Sequence, residues 1–222
     1  MTVTDDLDAR RLPSRIAACR FDAFESQRVF RSLLDTISRP GSIEQIPESI
    51  WQRVPSVLAP LLVLADVETT IHVSDVDTFA WADALVAATG ARPSVIEESD
   101  LICVSSEAVD RLAPILETAR RGTALEPERG ARVSIGVHDL RERGAGTRAG
   151  SQLVLRGPGI DGDRAVCVDG LTKEHVDTWR RANSAFPAGI DVWMTTNDGR
   201  IVGIPRSTRI ELSATWPDQE RN

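Results

Sequence analysis

Lysine is almost absent from this sequence of 222 residues, in which Lys173 is the single lysine among 26 basic residues. Enzymes that use pyridoxal phosphate hold the cofactor as a Schiff base on a lysine side chain. Lys173 stands beside Glu174 in the first turn of a predicted helix, where a lysine is usually solvated. We therefore expect this protein to bind no pyridoxal phosphate.

Cysteine and histidine are also scarce, with three residues of each type. Cys19, Cys103 and Cys167 are far apart and form no CxxC pair, which argues against a zinc site, a redox centre or an iron–sulfur cluster. The histidines have neither HxH nor HExxH spacing. The sequence therefore predicts no metal site and no disulfide framework, and we expect no cofactor.

An excess of positive charge and a long apolar run are lacking as well. The formal net charge is -7, whereas proteins that bind nucleic acid present basic patches to the phosphate backbone. The longest apolar stretch, about residues 57–67, is interrupted by Pro60 and Asp66 and is too short to cross a bilayer. The acidic N-terminal segment has no apolar core of a secretion signal. We expect a cytoplasmic protein that binds neither nucleic acid nor membrane.

Motifs of self-sufficient catalysis are missing too. The sequence contains no GxxxxGKS/T loop for nucleotide phosphates and no GxSxG turn for a serine nucleophile. Gly144-Ala145-Gly146 is too short for a dinucleotide-binding GxGxxG loop. These absences leave no recognisable motif of an autonomous active site.

Helical and strand-like patterns alternate along the chain. Helical patterns cover residues 25–38, 56–65, 78–89, 107–121 and 172–183, and strand patterns cover residues 69–74, 94–97, 101–105, 132–137, 152–155, 164–168, 190–196 and 200–204. Asn197-Asp198-Gly199 joins the last two strands as a hairpin turn. This alternation predicts an α/β fold with a mixed β-sheet and helices on both faces.

The chain length fits one large domain. We expect that domain to span residues 20–213. A flexible, polar segment over residues 1–19 is expected before it, and a tail over residues 214–222 after it.

Four turn-like segments are dense in proline and glycine. They are residues 38–41 (Ser-Arg-Pro-Gly), 157–160 (Gly-Pro-Gly-Ile), 186–191 (Phe-Pro-Ala-Gly-Ile-Asp) and 204–208 (Ile-Pro-Arg-Ser-Thr). Proline and glycine fix the backbone rather than perform chemistry. Since the segment 157–160 follows a predicted strand, its residue types fit both a ligand-binding loop and a rigid turn.

These four segments, in this order and after Phe30-Arg31-Ser32-Leu33-Leu34, resemble the PhnH family of the bacterial carbon–phosphorus lyase machinery. The resemblance extends over about residues 24–212, nearly the whole chain. It implies a fold like the large domain of pyridoxal-phosphate-dependent transferases without the cofactor. It also implies a homodimer when isolated, and a complex with PhnG-, PhnI- and PhnJ-type subunits.

The function implied by the resemblance is a part in organic phosphonate catabolism. Together with PhnG, PhnI and PhnL-type proteins, such a subunit is required to transfer the ribose triphosphate moiety of ATP to methylphosphonate. The product is alpha-D-ribose 1-methylphosphonate 5-triphosphate, whose carbon–phosphorus bond a radical S-adenosylmethionine partner later breaks. The resemblance supplies no catalytic residue, so it leaves open whether this subunit takes part in the chemistry itself.

Seven residues of the turn-like segments are candidates for contacting a ligand or a partner: Ser38, Gly41, Gly157, Gly159, Asp191, Arg206 and Thr208. Arg206 follows a predicted strand directly after Pro205, and its guanidinium offers a planar fork of donors suited to phosphate or carboxylate. The same arginine could instead be solvated, or form a salt bridge to Asp191. Two other functions also stay open: an independent small-molecule transferase using Asp191 and Arg206, and a scaffold protein unrelated to phosphonates.

Overall fold

The computed structural model describes residues 12–74, 79–142 and 151–213. Its described helices are α1 (12–19), α2 (Ala23–Ser38), α3 (Glu48–Trp51), α4 (Ala59–Leu64), α5 (Phe79–Thr89), α6 (Leu112–Thr118) and α7 (Lys173–Ala182). Its described strands are β1 (Ile43–Gln45), β2 (Thr70–Ser74), β3 (Arg92–Pro93), β4 (Leu101–Val104), β5 (Arg132–Gly136), β6 (Asp139–Glu142), β7 (Ser151–Arg156), β8 (Arg164–Asp169), β9 (Asp191–Thr195), β10 (Arg200–Ile204) and β11 (Arg209–Ser213). The predicted α/β class with a mixed sheet is confirmed.

The larger sheet has seven strands in the order β1-β10-β9-β5-β4-β2-β3. The five strands from β3 to β9 are parallel, whereas β10 runs antiparallel to β9 and β1 runs antiparallel to β10. The turn between β9 and β10 closes with the Gly199 amide donating to the Thr196 carbonyl over 3.0 Å. The hairpin predicted at Asn197-Asp198-Gly199 is therefore confirmed.

Helices cover both faces of this sheet because its side chains alternate between two cores. In β9, Val192 and Met194 enter the core that contains α6, α7 and the second sheet, whereas Trp193 enters the core beneath α2. Gly203 in β10 lets α2 approach the sheet closely, since a Cβ atom there would lie 2.8 Å from Thr36 Oγ1.

The second sheet has four antiparallel strands in the order β11-β7-β8-β6. Leu153 and Leu155 of β7 alternate with more exposed residues and pack into the same core as Trp179 of α7. The two sheets thus share one continuous hydrophobic core. This arrangement brings the loops after β7 and β10 to the same end of α7, where the candidate site lies.

Several local elements differ from the sequence-based expectations. Residues 12–19, part of the segment expected to be flexible, form α1, with Cys19 only 3% exposed against α2. The strand predicted at residues 94–97 is wrong, because Ile96–Glu98 forms a 3-10 turn. Pro93 ends the edge strand β3, where the neighbouring amides of Arg92 and Ser94 donate to β2 and its flank, so the missing N–H of Pro93 costs no ladder bond. Residues 1–11 and the expected tail 214–222 lie outside the described residues.

A histidine completes the N-terminal cap of α7. The His175 amide donates to Thr172 Oγ1 over 3.3 Å, and the Thr172 amide donates to His175 Nδ1 over 3.2 Å. His175 thus replaces the usual glutamate or glutamine of the box. Nδ1 accepts this bond only in the neutral imidazole, and burial lowers the pKa of His175 below its ordinary 6.5.

We expect the free energy of unfolding to fall as the pH is lowered through 6.5. The unfolded chain binds a proton at His175 before the folded chain does, so the loss continues until the pH passes the lower pKa of the folded state. Urea denaturation at a series of pH values measures this slope. His175→Gln keeps a capping side chain without a proton to gain, so its slope over this range should be shallower than that of the parent. An unchanged slope would contradict the assignment.

Candidate functional site

The four proline- and glycine-rich segments, 38–41, 157–160, 186–191 and 204–208, meet in space at what we call the junction. The first contact joins residues 38–41 to residues 157–160. Gly159 packs so tightly that a Cβ atom there would lie closer than 3.0 Å to the Ser38 carbonyl oxygen and to Pro40 Cδ. Gly41 packs against the base of the second sheet, where a Cβ atom would lie 2.7 Å from Leu155 Cδ1. The Ser38 hydroxyl donates to the Asp35 carbonyl within its own helix over 3.1 Å.

The second contact joins residues 157–160 to residues 204–208. Gly157 follows β7, whose last residue pairs with Arg209 at the start of β11. A Cβ atom on Gly157 would lie 3.0 Å from the Ser207 carbonyl oxygen and 3.3 Å from Thr208 Cα. The glycines of this segment therefore let backbone pack on backbone, as a rigid turn requires.

The third contact is the ion pair between Asp191 and Arg206. Asp191 Oδ1 accepts from the Arg206 backbone amide over 2.8 Å and from Nε over 3.1 Å, while Oδ2 accepts from Nη2 over 2.6 Å. The remaining terminal nitrogen, Nη1, donates to the Pro127 carbonyl. The two side chains are 11% and 20% exposed for Arg206 and Asp191 respectively. The guanidinium is thus engaged within the chain, by the salt bridge that the sequence left as an alternative to anion binding.

Asn183, which the sequence analysis did not single out, holds the loop before Asp191 in place. Its Oδ1 accepts from the Ile190 amide over 2.8 Å, and its Nδ2 donates to the Ile190 carbonyl over 3.2 Å. The intervening loop contains a cis peptide bond between Phe186 and Pro187. Asn183 directly follows the last residue of α7. Asn183 has a φ of -101°, so it does not form the left-handed cap for which asparagine is known at helix ends, and its residue type gave no local signal of this role.

A cleft of about 470 Å³ opens beside the junction, between the end of α7 and the start of β11. Arg206 and Thr208 line this junction cleft, together with the aromatic residues Trp179 and Phe186. Thr208 Oγ1 and Trp179 Nε1 are buried, and neither finds a hydrogen-bond partner among the described residues. Polar atoms buried in this way are uncommon in proteins, and a bound group is one explanation for them.

Positive charge surrounds the junction cleft. Arg209 is exposed at its edge, and the half-exposed Arg180 lies 3.8 Å from its nearest carboxylate, on Asp177. The carboxylate of Glu211 in the lining is bound by Arg156 over 2.9 Å. The described lining therefore offers donors and positive charge, which suit binding of an anion or of a partner's carboxylate.

The predicted site residues consequently divide into two groups. Arg206 and Thr208 line the junction cleft, with Asp191 directly behind Arg206. Ser38, Gly41, Gly157 and Gly159 hold the backbone together and face one another or the second sheet. The described residues include no cluster of three or more side chains suited to a metal ion. Over the same ranges, no helix is long and apolar enough to cross a membrane.

Comparisons with known proteins agree over most of the chain. A family model described as "Bacterial phosphonate metabolism protein (PhnH)" matches residues 19–211. A relative from Rhizobium meliloti (strain 1021), named alpha-D-ribose 1-methylphosphonate 5-triphosphate synthase subunit PhnH, is 28% identical over 192 residues, which are 85% of this chain and 91% of the relative. A putative C-P lyase subunit protein, HtxG, from Stutzerimonas stutzeri is 24% identical over 200 residues, covering 90% of this chain and 93% of that protein.

Proposed function

Because the chain belongs to the PhnH family of bacterial phosphonate metabolism proteins, we propose that it is a non-autonomous subunit of the carbon–phosphorus lyase core complex. The observation that carries this proposal is the family match over residues 19–211, which contains all four segments of the junction. The name of the relative from Rhizobium meliloti gives the reaction, the synthesis of alpha-D-ribose 1-methylphosphonate 5-triphosphate.

In this proposal the subunit works with PhnG-, PhnI- and PhnL-type proteins to transfer the ribose triphosphate moiety of ATP to methylphosphonate. PhnJ-type subunits join the same core complex and act later, at the carbon–phosphorus bond. A homodimer in isolation, a cytoplasmic location and a likeness to the large domain of pyridoxal-phosphate-dependent transferases belong to the same proposal.

The chemistry of the junction supports a role in binding and assembly. Asp191 and Arg206, the two residues of the alternative transferase hypothesis, bind each other in a largely buried pair, and the remaining terminal nitrogen of Arg206 donates to the Pro127 carbonyl. The junction cleft beside them is lined by exposed Arg209 and by Thr208, whose hydroxyl has no hydrogen-bond partner within the part of the chain that the structure describes. Such a surface favours contact with an anionic group of a substrate or of a neighbouring subunit over nucleophilic attack.

Reconstitution of the synthase reaction tests the proposal. ATP and methylphosphonate are incubated with the PhnG-, PhnI- and PhnL-type partners, with and without this chain, and release of adenine is measured. We expect adenine release with the complete set and none with this chain alone. Full activity of the partners without this chain would refute the proposal, and adenine release by the isolated chain would establish the independent transferase instead. Failure to co-purify with the partners would favour an unrelated scaffold protein.

A further inference from the structure

A second pocket lies at the carboxyl ends of the parallel strands, opposite the junction, where the order in which the chain adds strands to the sheet reverses. The chain passes from β2 outward to β3, returns to the other side of β2 as β4, and continues to β5. Helix α5, which follows β2, packs on one face of the sheet, and helix α6, which follows β4, packs on the other. A crevice forms between the carboxyl ends of two such strands, and open α/β sheets commonly bind ligands there.

A cavity of about 270 Å³ occupies this crevice, and we call it the switch-point pocket. Four neighbouring parallel strands contribute residues at or just beyond their carboxyl ends: Val73, Ser105, Gly136 and Thr195. Arg15 of α1 and Trp81 of α5 close the side of the pocket. The volume is at the lower limit for organic ligands, so an occupant has to be small.

Arg15 contributes a positive charge to the lining of the switch-point pocket. Its guanidinium carbon lies 5.2 Å from the centroid of the Trp81 ring, which fixes the side chain across an aromatic face. Its Nη1 is buried and has no hydrogen-bond partner in the part of the chain that the structure describes. Glu107 also lines the pocket but is exposed, and no ion pair joins it to Arg15 within these described residues. A buried guanidinium nitrogen in this state favours an anion.

Thr195 is a second, independent indication that the pocket binds a ligand. The residue is 1% exposed, and its Oγ1 is buried without a partner among the described residues. Its backbone carbonyl, by contrast, accepts from the Val137 amide over 2.8 Å. A valine would fill the same space without an orphaned hydroxyl, so the hydroxyl costs stability that a bound acceptor would restore. Ser106 and Asn197 line the pocket beside it.

We propose that the switch-point pocket binds a small molecule bearing a tetrahedral phosphorus oxyanion, as in an organic phosphonate or a phosphate. Arg15 binds the oxyanion from one side, while Thr195 and Ser106 donate hydroxyl hydrogens from the strand ends. Converging donors from separate elements suit a tetrahedral group better than a planar carboxylate. Val57, Leu58 and Trp81 offer an apolar wall to the organic part. The choice of phosphorus rests on the proposed function, whereas the site itself rests on the pocket.

Isothermal titration of the full chain tests this site with methylphosphonate, inorganic phosphate and acetate as separate probes. We expect binding of at least one phosphorus oxyanion, and much weaker binding of acetate. Comparison of the first two probes shows whether the pocket prefers a phosphonate or a phosphate. Binding of acetate equal to that of both other anions would overturn the tetrahedral assignment, and no binding of any probe would overturn the site.

Two variants locate the binding in the pocket. Arg15→Gln should weaken it by about 10-fold to 100-fold, the loss expected for hydrogen bonds to a charged group. The matched control is Arg20→Gln, since Arg20 is exposed just beyond α1 and should bind like the parent. Thr195→Val should weaken binding about tenfold and yet raise the midpoint of thermal unfolding of the free protein by about 2–4 °C, because it removes an orphaned hydroxyl. Binding by Thr195→Val at parent strength would refute the role of this hydroxyl.

Failure of this inference is separable from failure of the proposed function. If this chain binds no oxyanion but the synthase reaction still requires the chain, the pocket proposal is wrong and the subunit proposal stands. If the chain binds the oxyanion through Arg15 and Thr195 but the reaction proceeds without the chain, the subunit proposal is wrong and the pocket proposal stands.

Discussion

Replacing Gly159 with alanine is expected to lower the free energy of unfolding by about 3–4 kcal/mol. Gly159 has a φ of +81°, which an L side chain adopts at a cost. In addition, the new Cβ atom would collide with the Ser38 backbone oxygen, which has no flexible side chain to move aside. The contact between residues 38–41 and 157–160 would therefore open. Denaturation by urea, followed by tryptophan fluorescence, measures the change.

Gly162→Ala is the matched control for this prediction. Gly162 lies three residues further along the same loop with a φ of +68°, but a Cβ atom there would meet nothing within 4 Å. We expect this variant to lose only about 1 kcal/mol, from the backbone conformation alone. If both variants are destabilised equally, the close approach to Ser38 contributes nothing and our account of the junction is wrong.

Replacing Asp191 with asparagine is expected to destabilise the protein by about 3 kcal/mol. The substitution leaves the Arg206 guanidinium, 11% exposed, without its counter-charge. It also weakens three hydrogen bonds at once, one from the Arg206 backbone amide and two from its side chain. Because Arg206 and Thr208 line the junction cleft, the loss should also reduce synthase activity of the reconstituted complex.

The chain offers an internal control in the pair between Arg156 and Asp163. That pair has the same two-pronged geometry, with Nε donating to Oδ1 over 2.5 Å and Nη2 to Oδ2 over 2.8 Å. Its side chains are about half exposed, however, at 46% and 53%. Water replaces such an exposed pair with little net change, so Asp163→Asn should unfold at nearly the same urea concentration as the parent. An Asp191→Asn variant as stable as Asp163→Asn would show that burial of the first pair does not matter.

Much of the local structure could be predicted from the sequence. Residues 25–38 repeat apolar side chains at helical spacing and form most of α2, and Asn197-Asp198-Gly199 forms the turn between β9 and β10. Such signals depend on neighbours along the chain, which the sequence shows directly. The helix at residues 12–19 escaped prediction, because a helix of eight residues is not stable alone and its packing against α2 decides its state.

The candidate site could be predicted only as separate pieces. The four segments of the junction stood out by residue type, but nothing in their order says that Gly159 touches Ser38 across more than a hundred residues. The sequence left three possible partners for the guanidinium of Arg206: a phosphate or carboxylate, the solvent, or Asp191. The choice of Asp191 follows from the antiparallel pairing of β9 and β10, which brings the first residue of one strand beside the residues after the other.

The sequence by itself established the single lysine, the scattered cysteines and histidines and the lack of a nucleotide-binding loop motif, on which the expectation of no cofactor rests. It also determined the alternation of helices and strands and the family resemblance, since both are properties of local residue patterns. The tertiary structure alone decided that Arg206 is held by Asp191 and that the hydroxyls of Thr195 and Thr208 are buried with no hydrogen-bond partner among the described residues. The burial of a side chain and its hydrogen bonds depend on contacts between segments that are distant in the sequence. Those contacts form only when the sheet assembles.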